Sequence, residues 1–194
     1  MIPLNQLSTT FINAPYIEKS NNLNAPLIDY ELGGVNVNDA SQGLKVKLWT
    51  LYMEGENVML SADGVTPVVL FTRPGISELS LAFDQNMRPF VAFVQYFNAK
   101  YWWFDTTVAT MVFTDLVGAV SPRCTLDDKR LIAQNTSDII LAYVKANNLY
   151  MRYQRDRYRI EYLLRSEVNA TLVTIGMATN NRLRFKLRLN QSTF

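Results

Sequence analysis

Histidine is absent from all 194 residues, and cysteine occurs once, at Cys124. Imidazole is the commonest general base and a frequent metal ligand. Its absence excludes Ser-His-Asp and Cys-His catalysis and any zinc site that needs imidazole. A single thiol can neither close an intramolecular disulfide nor furnish an all-thiolate metal site, which fits folding in a reducing cytoplasm. No run of 18 apolar residues occurs, so no membrane-spanning helix is expected. The opening residues lack a basic stretch followed by an apolar one, so no secretory signal is expected. There is no glycine-rich phosphate loop. The chain is therefore expected to be non-enzymatic, with no cofactor and no metal.

The composition is that of a globular chain, 48% hydrophobic and 19% charged. The net charge of +2 is unevenly spread. Between Tyr150 and Asn190, nine Lys and Arg face three acids, which leaves the remainder of the chain at −4. Such asymmetry marks an electrostatic interface, to nucleic acid or between protomers.

Residues 1–43 are crowded with Asn, Pro and Gly, which favour turns over long regular elements. Yet they also carry Phe11, Ile12, Tyr16, Ile17, Leu27, Ile28 and Tyr30, more apolar residues than a disordered tail holds. Two readings stand side by side: an extended N-terminal arm that buries Phe11, Tyr16, Ile17, Leu27 and Tyr30 against a neighbour, or a loop packed on its own domain.

From 44 to 194 the pattern is that of strands. Lys45 to Tyr52 alternates, Glu54-Gly55-Glu56-Asn57 offers a turn, and Val58-Met59-Leu60 returns. Asp63-Gly64 is a turn signal, Val68 to Thr72 is a short apolar run, and Asp84 to Pro89 separates Ser80–Phe83 from Phe90–Val94. Short strands at such spacing indicate an all-β sandwich, barrel or propeller. Classes of residue match between Leu51–Leu60 and Ala142–Met151, and Ala92-Phe93-Val94-Gln95 opens in the same way. The equivalent aromatics are Tyr52, Phe93 and Tyr143, with a fainter fourth copy around Thr174–Phe185. Antiparallel hairpin repeats of this period suit propeller blades, and a hairpin that cannot bury its own apolar face must stack on copies. The expected fold is all-β, propeller-like or sandwich.

Leu81–Phe93 resembles the strand–turn–strand unit of propeller-like tail proteins. Asp138–Val144 with Leu149–Tyr158 resembles structural proteins of tailed bacteriophages. The resemblance covers about residues 44–165. It implies a virion component of the tail or head-to-tail region, assembled in the host cytoplasm as a symmetric ring with other copies and other tail or connector proteins. It offers no catalytic residues to carry over. At 194 residues the chain is short for a complete propeller, so other subunits could complete the blade set.

Three constellations stand out. Met151–Arg165 interleaves five arginines with Tyr153, Tyr158 and Tyr162; Arg152, Tyr153, Arg155, Arg157 and Tyr158 are candidates for a protein interface. A solvated turn or contact with nucleic acid are the other readings. Arg182–Leu189 alternates with period two, so Arg182, Arg184, Lys186 and Arg188 share one face. That face could line a channel, contact DNA, clamp an acidic partner or simply protect an edge strand. Trp102 and Trp103 are interface candidates, or a stacking platform if the chain is instead a tail-fibre-like module that binds a host glycan or receptor.

Overall fold

The computed structural model describes residues 27–36, 44–84, 86–127, 138–177 and 182–189. It is all-β, with four antiparallel sheets. Sheet I contains β1 (Ile28–Asn36), β2 (Leu44–Glu54), β3 (Asn57–Ala62) and β4 (Val65–Thr72), paired in that order. Sheet II contains β5 (Ile76–Phe83), β6 (Pro89–Gln95), β7 (Asn98–Asp105) and β8 (Thr110–Asp115). Sheet III runs from β9 (Ala119–Leu126) through β10 (Ile139–Lys145) and β11 (Asn148–Tyr153) to β12 (Tyr162–Arg165). Sheet IV has two strands, β13 (Ala170–Met177) and β14 (Leu183–Leu189).

The repeat legible in the sequence is the middle hairpin of each four-stranded sheet. Its closing pairs are Glu54 with Asn57, Gln95 with Asn98, and Lys145 with Asn148. Tyr52, Phe93 and Tyr143 each lie two residues before that closing position. Each turn has two residues, the loop length that matches the twist of paired strands. The fainter fourth copy is the β13–β14 hairpin.

Sheets stack because their strands are apolar on both faces, and a lone sheet would leave one of them in water. Leu51, Val58 and Leu60 of sheet I form one core with Leu79, Leu81, Phe93 and Trp102 of sheet II. Tyr101 and Trp103 of sheet II form a second with Leu141, Tyr143 and Cys124 of sheet III. Ile140, Val144 and Leu149 of sheet III form a third with Leu172 and Ile175 of sheet IV. Among the described residues no core joins sheet IV back to sheet I.

The first strand of each sheet lies beside the first strand of the next: β1 by β5, β5 by β9, and β9 by β13. Buried polar side chains tie this inner row together. Asp29 Oδ2 accepts from the Leu81 N–H at 2.7 Å, and Ser80 Oγ accepts from the Cys124 N–H at 3.0 Å. Arg123 Nε donates to the Val173 carbonyl at 2.7 Å, and its Nη1 pairs with Glu78 Oε2 at 2.6 Å. Successive sheets are thus joined through a row of first strands, an all-β arrangement of antiparallel hairpin sheets consistent with a sandwich or a propeller-like fold.

One boundary changes. Residues 28–36, assigned from the sequence to the arm, form β1 and pair along their whole length with β2 from Ile28–Tyr52 to Asn36–Leu44. The division at residue 43 therefore cuts through a hairpin. Alternation of Ile28, Tyr30 and Leu32 outweighs the turn-forming Gly33-Gly34 once β2 is there to pair with.

Candidate assembly surfaces

The basic-aromatic run folds back on its own chain. After β11 the backbone makes a short 3-10 turn at Gln154–Asp156, then passes through left-handed Arg157 and Tyr158 before β12. That reversal turns Tyr158 inward. It is 1% exposed and packs against Phe90, Tyr101 and Trp103, with ring centroids 5.0–5.3 Å away. Tyr158 is therefore a core residue between sheets II and III, where an interface residue was expected.

The arginines on either side have partners within the chain. Arg152 donates to the Tyr143 hydroxyl at 2.7 Å, to the Tyr158 carbonyl at 2.8 Å and to Glu161 Oε1 at 2.7 Å. Glu161 also accepts from Tyr143 and from Lys145. Burial alone would raise the Glu161 carboxyl; the hydrogen bonds from Tyr143, Arg152 and Lys145 outweigh it and hold the carboxyl at about 2. Burial and the Glu161 carboxylate together push the Tyr143 hydroxyl up. Arg157 Nη2 reaches both carboxylate oxygens of Asp105, at 2.9 and 2.8 Å, and Thr107 Oγ1 at 2.7 Å, clasping sheet III to sheet II. Arg155 pairs with Asp138 at 3.2 Å and stacks its guanidinium 4.1 Å from the centre of the Tyr153 ring.

Arg152, Arg155 and Arg157, candidates for a protein interface, thus all have acidic partners within the chain, and of the three only Arg155 stays largely exposed. Each is matched to an acid that lies 9, 17 or 52 positions away in the chain. Tyr153 stays half-buried on the side facing sheet IV.

Trp102 and Trp103 are 8% and 7% exposed. Neighbours on a strand point to opposite faces, and both faces of sheet II are covered: Trp102 enters the core with sheet I and Trp103 the core with sheet III. Neither offers a face on which a sugar could stack.

The terminal basic strand keeps its sequence pattern. Leu183, Phe185 and Leu187 are half-buried against sheet III, while Arg182, Arg184, Lys186 and Arg188 are exposed. Phe11, Tyr16 and Ile17 lie outside the described residues. Leu27 is half-buried in the turn before β1, and Tyr30 is half-buried within β1, across from Thr50.

Two surfaces were not singled out from the sequence. Register carries Ile28, Tyr52, Met59 and Val69 in one row across all four strands of sheet I, on the face away from its core. On that face Ile28, Leu48 and Val69 are 39%, 41% and 53% exposed, whereas Tyr52 is half-buried and Met59 is buried. The second surface is the tip of the β6–β7 hairpin, where Tyr96 and Phe97 are 60% and 93% exposed. The signal for the first was the alternation of Ile28 and Tyr30 within the Asn-rich segment. The second carried no signal, because an aromatic pair in a two-residue turn reads as strand.

The chain matches no protein-family model, no curated protein and no solved structure. Its surfaces therefore stand on their own chemistry: exposed Ile28, Leu48 and Val69 on the outer face of sheet I, and the exposed basic residues of β14 in sheet IV.

Proposed function

We propose that this protein is a structural assembly subunit that forms a symmetric ring through β packing and its N-terminal segment. We place it in the virion of a tailed bacteriophage, in the tail or head-to-tail region. The observation that carries the assembly reading is the open series of sheets. Sheet I presents Ile28, Leu48 and Val69 to solvent on the face away from its core, and among the described residues sheet IV has two strands. Exposed apolar residues gathered on one sheet face support an interaction surface there. Head-to-tail contacts between two unlike ends generate a closed ring when the rotation per subunit permits. The phage assignment rests on the resemblance of Leu81–Phe93 and Asp138–Tyr158 to tail proteins. The stripe of Arg182, Arg184, Lys186 and Arg188 supports contact with a polyanion, such as DNA in a channel.

Mass photometry of the purified chain is expected to show a single high-order species. A chain that stays monomeric at micromolar concentration sinks the assembly reading. A variant lacking residues 1–26, which leaves β1 whole, is expected to keep its β circular-dichroism spectrum and lose the high-order species. The virion assignment adds that the protein sediments with intact particles; recovery only among soluble lysate proteins would count against it.

A further inference from the structure

We draw no further inference here: the strongest candidate, the exposed aromatic tip of the β6–β7 hairpin at Tyr96 and Phe97, is an apolar surface projection, and nothing in the structure shows what covers it.

Discussion

Asp29 Oδ2 accepts a hydrogen bond from the Leu81 backbone N–H at 2.7 Å, joining the inner strand of sheet I to that of sheet II across 52 positions of sequence. Asp29 is 1% exposed. A carboxylate so placed is retained only where donors compensate for its removal from water. Ser80 plays the same part between sheets II and III, and Arg123 between sheets III and IV. The residue type differs at each junction, yet each time a buried side chain from one inner strand bonds the backbone of the next. This polar row sets how far one sheet sits from its neighbour, which nonpolar packing alone leaves adjustable.

Removing the first of these ties has a defined expected outcome. Asp29→Ala leaves the Leu81 N–H buried without this acceptor, at a cost of about 2 kcal/mol. Asp29→Asn keeps an amide oxygen in place and is expected to lose less. Urea denaturation followed by tryptophan fluorescence measures both. An alanine variant as stable as the parent would remove the role given to this contact.

The middle hairpins were legible because each carries two local signals at once, period-two apolar alternation and a polar two-residue turn. Tyr52, Phe93 and Tyr143 therefore aligned correctly before any sheet was known. The strand at Ile28–Asn36 was obscured because Gly33-Gly34 and the surrounding asparagines speak for turns, and its partner strand lies beyond a seven-residue connection. The arginine run misled for a different reason. Sequence shows which charges are near in the chain, whereas Arg157 finds Asp105 and Arg155 finds Asp138 only after sheets II and III have stacked. Trp102 and Trp103 share that cause: adjacent aromatics put one ring on each face of a strand, and sequence does not say that both faces are covered.

The Glu161 cluster predicts an acid-sensitive term in stability. The folded carboxyl titrates at about 2, below its ordinary value of 4.5, so it stabilises the fold fully above the unfolded value. That contribution is lost as pH falls from about 4.5 toward 2. Glu161 keeps 27% of its side chain exposed, so its size is on the order of 1 kcal/mol after solvent screening. Glu161→Gln is expected to be less stable than the parent at pH 7, and the gap is expected to narrow at pH 3. Chemical denaturation at the two pH values reads the difference; a gap that stays constant or widens in acid contradicts the titration.

The tip of the β6–β7 hairpin gives a change of opposite sign. Tyr96 and Phe97 hold φ of 47° and 65°, the left-handed region that a bulky side chain enters only with strain. Tyr96 has a counterweight, since its ring lies over Gly75, where a Cβ would collide with it, and its N–H donates to the Gly75 carbonyl at 3.0 Å. Phe97 has none of this, being 93% exposed. Relief of left-handed strain at such a residue contributes about 1–2 kcal/mol, and the added freedom of glycine in the unfolded chain offsets roughly 0.5–1 kcal/mol of that. Phe97→Gly is therefore expected to stabilise the chain by about 0.5–1 kcal/mol, whereas Tyr96→Asn, which uncovers Gly75, is expected to be close to neutral. Thermal melts of the two variants separate the cases. A Phe97→Gly protein that melts below the parent would mean that the exposed ring is held in place by something other than the turn it occupies.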